Sequence, residues 1–107
     1  MHDKEKNNQT KIRLKEVNLD KISDIFKILS DKTKLKIIIA LLEQEICVHD
    51  LVDISESTQS NVSHALAKMK KLKILKDKKI GKHIFYQIYD SHIIELLNLV
   101  LTHSKEC

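Results

Sequence analysis

Two acids and two imidazoles in the last 18 residues, Asp90, His92, His103 and Glu106, are the groups in this 107-residue chain best suited to hold a metal ion. Imidazole with carboxylate suits Zn(II) or Co(II) better than harder or softer ions. The four flank a run with apolar residues at helical spacing: Ile93, Ile94, Leu96, Leu97, Val100 and Leu101. His92 and His103 lie eleven residues apart, close to three turns at about 3.6 residues each, so both rings project from one side of a helix. Those residues also rise roughly 16 Å along the axis. One ion with Zn–N bonds of about 2.1 Å cannot touch both rings. Two antiparallel copies of the helix, related by a two-fold axis, remove the difficulty. The Asp90/His92 end of one then meets the His103/Glu106 end of the other, giving two symmetric sites of two nitrogens and two carboxylates. An ordinary helix accounts for the same residues without metal, with Asp90 as N-cap, His92 in the first turn, and His103 and Glu106 at a solvated end.

The elements that must position these groups follow from composition and pattern. A chain of this length with 42% apolar residues forms one domain with a modest core. The absence of Pro, the single Gly and the few aromatics favour helices over a β-rich fold. No apolar run approaches the roughly 18 residues that span a membrane, and the polar N-terminus does not read as a signal peptide. Cys47 and Cys107 show no framework spacing, so a cytoplasmic protein with reduced thiols is expected. No nucleophile–base pair, Gly-rich phosphate loop or catalytic metal motif points to an enzyme.

Charge is unevenly spread. Residues 37–67 contain no Lys or Arg but carry Glu43, Glu45, Asp50, Asp53 and Glu56. Residues 68–83 carry lysines at 68, 70, 71, 73, 76, 78, 79 and 82 against the one acid Asp77. Such a local excess is either the footprint of a nucleic-acid-binding face or a solvated lysine-rich surface, and position decides between them.

Residues 1–17 are polar and mixed in charge and read as a mobile arm, turning helical near Ile12; residues 18–107 form the folded domain. Leu19, Ile22, Ile25, Phe26 and Leu29 mark a first amphipathic helix ending near Ser30. Asp31 reads as the N-cap of a second, with Leu35, Ile37, Ile38, Ile39, Leu41 and Leu42 in the core. A short helix is expected over Ile46–Val52, then a polar turn, Ser55-Glu56-Ser57. Thr58 or Ser57 caps the next helix, whose buried stripe is Val62, Leu66 and Met69. Its other face offers Thr58, Gln59, Ser60, Asn61, Ser63, His64 and Lys68. Two helices joined by a short polar turn, the second with a hydrogen-bonding N-terminal half, are what a helix-turn-helix requires. Gln and Asn can pair with adenine edges in the major groove, and Ser with bases or phosphate. Residues 74–89 then read as a β-hairpin, with Gly81 where the turn needs positive φ and Lys78, Lys79 and Lys82 at its tip. A basic hairpin after a recognition helix is a wing, placed to touch phosphate. The fold expected is therefore mostly α with a small β-hairpin, a winged helix-turn-helix that dimerises through its N- and C-terminal helices.

On these segments the chain resembles the ArsR/SmtB family of bacterial metal-responsive winged-helix repressors. The likeness runs from about Asp24 to Glu106 and rests on residues 26–37, the box Glu45–Leu51, the stretch Gln59–Leu66, the Gly81-Lys82 tip and the Asp90-x-His92 and His103-x2-Glu106 pairs. That last pattern is similar to the signature of the family's zinc and cobalt sensors. The resemblance implies an apo homodimer on an operator of two-fold symmetry, from which Zn(II) or Co(II) releases it to derepress efflux or resistance genes. Ni(II) and Cd(II) are further metals to consider. Asp90 and His92 of one subunit and His103 and Glu106 of the other would be the ligands. His103 is expected to pass the signal toward Ala65–Lys68. Lys32 departs from the pattern where many members have Pro, and Lys73 where Gly often follows the recognition helix.

Relatives that sense cadmium, lead or zinc through a second site use a Cys where Cys47 stands, joined by arm ligands. Here His49 would be its neighbour, and the arm offers only His2 and Asp3. One sulfur makes a poor trap for soft ions; Cys47 as a small core residue with His49 exposed is the alternative, and Cys107 is incidental or an extra ligand beside Glu106. Two other functions remain open: a winged-helix regulator without metal, responding to thiol oxidation or acting constitutively, and a metal-buffering or interaction module with merely solubilising lysines.

Overall fold

The computed structural model describes residues 3–106; His2 and Cys107, named above, lie outside the described residues. Six helices and a three-stranded sheet follow in the order α1 (Lys4–Glu16), α2 (Leu19–Ser30), α3 (Lys32–Ala40), β1 (Ile46–Cys47), α4 (Val48–Ser55), α5 (Gln59–Lys71), β2 (Leu75–Ile80), β3 (His83–Ile88) and α6 (Ser91–Lys105).

Local chemistry sets most boundaries. Asp31 accepts from the Lys34 amide, Thr58 from the Asn61 amide and Asp90 from the His92 amide, so α3, α5 and α6 each start on a side-chain cap. Of the two caps considered for α5, Thr58 is the one used. Helix α5 ends in a Schellman motif: Ile74 N–H bonds the Met69 carbonyl at 2.9 Å and Lys73 N–H the Lys70 carbonyl at 3.0 Å. Lys73 therefore sits at φ 60°, the left-handed position that usually selects Gly. Gly81 turns the β2–β3 hairpin at φ 61°.

The core is one cluster, with Ile28, Ile37, Ile38, Leu51, Val62, Leu66, Met69 and Leu75 its best buried members. Each such side chain contributes about 1.5–3 kcal/mol on burial. Ile93 and Leu97 join α6 to this cluster and leave its opposite face outward.

Two segments differ from expectation. Ile46 and Cys47 are not the start of a helix but a short strand, pairing with Tyr86 and Phe85 of β3. The sheet order is thus β1-β3-β2, and the helix expected over 46–52 begins only at Val48. Helicity in the arm begins at Lys4 rather than near Ile12, with Asp3 as N-cap, and no residue of α1 is buried.

Candidate functional site

Helix α5 buries Val62, Ala65, Leu66 and Met69 and turns Gln59, Ser60, Asn61, Ser63, His64 and Lys68 to solvent. Helix α4 leads into it through Glu56, held at φ 55°, and Thr58, which is itself exposed. The Asn61 amide Nδ2 donates to Ser57 Oγ at 3.4 Å, leaving its oxygen for an outside partner. None of these α5 residues is an acid, though Asp31 borders Asn61 and His64, and Asp50 and Asp53 border Gln59 and Ser63.

The hairpin beside it has two different sides. Leu75, Asp77 and Lys79 of β2 pair with Ile88, Tyr86 and Ile84 of β3, and alternation puts these six on one face. That face looks toward α5: Ile84, Tyr86 and Lys82 line a groove of about 770 Å³ with Gln59, Ser63 and Leu66. Lys76 and Lys78 stand on the other face, opposite Gln87 and Phe85. Lys78 is held by Glu45 at 2.8 Å, and the Lys76 ammonium lies 5.5 Å from the Tyr89 ring centroid. Lys70 of α5 bonds Asp77 of β2 at 2.9 Å, which raises the Lys70 pKa and ties recognition helix to wing. Burial, and then the Asp77 charge, raise that of the nearby Tyr86. The expected lysines thus divide: Lys79 and Lys82 stand on the wing face toward α5, Lys68 lies on α5 itself near Asp24 and Lys71, and Lys78 faces away. Residue types alone hid Glu45 and Asp77, because each pair is made across folded elements.

Helix α6 holds the four expected ligands at its two ends. Asp90 Oδ1 accepts from His92 N–H at 2.8 Å and lies 3.0 Å from the same residue's ring Nδ1. Tetrahedral coordination with bonds of about 2.1 Å places donors about 3.4 Å apart, so a small side-chain adjustment lets both serve one ion. At the other end His103 and Glu106 line a depression of about 570 Å³ with Leu99 and Thr102. Among the described residues no three His, Cys, Asp or Glu side chains converge within one chain. Each end carries one imidazole and one carboxylate, groups of the types that could hold a metal ion.

Between the ends the outward face is apolar. Leu99, 70% exposed, lies near the midpoint of both the 90–106 and the 92–103 spans, and Val100 beside it is also exposed. Leu19, Ile22 and Phe26 of α2 are exposed large apolar side chains as well. Such residues stay in water only at a cost unless a partner covers them.

Cys47 is a buried free thiol in β1, and His49 is exposed on α4. Both line the groove between α4 and the wing, which His83, Asp50 and Asp53 also border. Asp3 caps α1 by accepting from the Lys6 amide at 3.1 Å. No helix among the described residues is long and apolar enough to cross a membrane.

Residues 31–77, from the α3 cap to the wing, match the family described as "Bacterial regulatory protein, arsR family". A cadmium resistance transcriptional regulatory protein CadC homolog from Staphylococcus aureus is 38% identical over 103 residues, 95% of this chain and 85% of that protein. A transcriptional repressor SmtB homolog from Synechocystis sp. is 31% identical over 85 residues, 79% of this chain and 64% of that protein. Among solved structures, the AntR antimony-specific transcriptional repressor aligns with a TM-score of 0.73 at 28% identity, covering 82% of this chain and 80% of that one. A homodimeric winged helix-turn-helix DNA-binding domain from Mycobacterium bovis shares the fold, with a TM-score of 0.74 at 22% identity over 82% of each chain. The chain belongs to the ArsR/SmtB family: it is a winged helix-turn-helix, metal-responsive transcriptional repressor and not an enzyme.

Proposed function

We propose that the protein is a homodimer that binds two-fold symmetric operator DNA when metal-free and leaves it when Zn(II) or Co(II) binds between the subunits. The observation that carries this reading is the Asp90–His92 pair, 3.0 Å from acid to ring, at the opposite end of α6 from the His103–Glu106 depression, with exposed Leu99 between them. Antiparallel packing of two α6 helices about Leu99 buries that side chain against its own copy and brings each pair to its complement. Phe26, Ile22 and Leu19, exposed on α2, would be covered by the partner subunit as well.

Thr58, Gln59, Ser60, Asn61, Ser63, His64 and Lys68 would enter the major groove, with Lys79 and Lys82 on flanking phosphate. Two recognition helices must reach successive major grooves about 34 Å apart. Bound, the ion would supply a cross-link between the two α6 helices. Asp90 orients His92 for this, and the second ring nitrogen of His103 would donate to a carbonyl near Ala65–Lys68, which couples α6 to the reading helix. By linkage, whatever favours the free dimer weakens DNA binding by the same factor, typically about 1–3 kcal/mol per coupling.

Cobalt(II) titration of the reduced protein followed by absorption tests the site. Intense tetrahedral d–d bands without a near-ultraviolet thiolate band, saturating at one ion per chain, are expected. A strong thiolate band would contradict the assignment and support a second reading, in which Cys47 and His49, with Asp3 or His2, sense cadmium or lead. The cadmium-resistance description of the Staphylococcus aureus relative favours that second reading; the single sulfur weighs against it.

A further inference from the structure

We propose that Glu45 withholds Lys78 from DNA phosphate and so limits the protein's sequence-independent affinity for DNA. The inference rests on the operator-binding reading above. Lys78 belongs to the most basic stretch of the chain, yet its ammonium lies 2.8 Å from Glu45, the residue that enters β1. The bond crosses the sheet: Lys78 pairs with Phe85 of β3, and Phe85 with Cys47 of β1, next but one to Glu45. Alternation sets Lys78 on the face opposite Lys79, away from the recognition helix.

A second observation strengthens this. Glu45 lines a depression of about 350 Å³ together with Asp50, Asp53 and Phe85. A phosphate approaching Lys78 meets the Glu45 carboxylate that already holds the ammonium, at the edge of a depression that Asp50 and Asp53 also line. Among the described residues no carboxylate pairs with Lys79 or Lys82: Lys82 lines, with Gln59 and Ser63, the groove that Asp50 and Asp53 also border, and Lys79 stands on the same face of the hairpin. The wing is therefore divided into a phosphate side and a silenced side. A genome offers a large excess of non-operator sites, so a repressor that must leave its operator gains from one fewer indiscriminate contact.

The test compares binding of the full-length dimer to a random-sequence duplex across salt concentrations, by fluorescence anisotropy. Each phosphate contact adds about 0.9 to the slope of log K against log salt. Lys78→Gln should leave the slope unchanged. Glu45→Gln should steepen it by about 0.9 per protomer and tighten binding about three- to tenfold at moderate salt. The double substitution should return the slope to its starting value, which separates a released Lys78 from mere loss of an acid. Both side chains are partly exposed, and such pairs add little to stability, so the variants fold. A slope lowered by Lys78→Gln alone, or unmoved or lowered by Glu45→Gln, would overturn the inference. Absence of salt-dependent binding in the unaltered protein would overturn the operator reading, and this inference with it.

Discussion

Asp90 and His92 are joined twice: one carboxylate oxygen accepts the His92 amide at 2.8 Å and lies 3.0 Å from the His92 ring nitrogen Nδ1. The bond to the amide caps α6, and the approach to the ring fixes an imidazole that is otherwise 86% exposed. Asp90 thus caps α6 and, on the proposed reading, would also serve the ion beside His92, and the two roles can be separated.

Asp90→Ser keeps a capping oxygen and removes the carboxylate. Thermal unfolding should be nearly unchanged, while cobalt affinity falls about tenfold or more. Asp90→Ala should lose both, with a stability cost of about 1 kcal/mol. Equal metal affinity in Asp90→Ser and the unaltered protein would exclude Asp90 from the site.

Leu99 is the most exposed large apolar side chain among the described residues and lies near the expected two-fold axis. Leu99→Glu places two like charges at that axis and removes apolar contact from both subunits at once. Sedimentation should show a shift from dimer to monomer, and operator binding should weaken by at least about tenfold, since two half-sites no longer act together. A variant that stays dimeric would move the interface off α6.

Asp31 accepts the Lys34 amide at 2.9 Å, and that bond, followed by the charges of Lys34 and Lys68, holds its pKa below the ordinary carboxylate value. A lowered folded-state pKa contributes stability above the unfolded value, and that contribution is lost as pH falls through the folded one. Asp31→Asn should keep the cap and flatten the acid limb of the stability curve below about pH 4. Urea melts at two acidic pH values and at neutrality measure this. Asp31→Ala should cost about 1 kcal/mol at neutral pH.

Lys73 occupies left-handed backbone at φ 60°. Lys73→Gly should relieve about 1–2 kcal/mol of strain, less the added freedom of the unfolded chain, for a net gain of about a few tenths to 1 kcal/mol. Thermal unfolding measures it, and no gain would show the Lys side chain to be compensated elsewhere.

How much was legible in the sequence depended on how locally each feature is determined. The caps at Asp31, Thr58 and Asp90 and the glycine turn at Gly81 are decided within a few residues and stand where residue type placed them, whereas the left-handed Lys73 is marked only by its departure from the family pattern. The buried stripe of α5 follows from helical period alone. Ile46 and Cys47 read as helix because a two-residue strand exists only through its partner β3, far along the chain. The full length of α1 was hidden because it buries nothing, so no apolar stripe marks it. Of the candidate site, the placing of Asp90 and His92 at one end of α6 and of His103 and Glu106 at the other could be read from spacing. The Glu45–Lys78 and Lys70–Asp77 pairs could not, since each joins surface charges whose meeting depends on how the sheet packs.

The most direct test of an intersubunit site is to mix two variants that should each be unable to bind metal tightly. His92→Ala homodimers lack one half of every site, and His103→Ala homodimers lack the other. In a heterodimer of the two, one site loses both histidines and the second is intact. After random subunit exchange about half the dimers are mixed, so cobalt should titrate to about one ion per four chains with the unaltered spectrum. Zinc should then release part of the operator-bound population. Mixtures that bind no more metal than the separate variants would contradict the account.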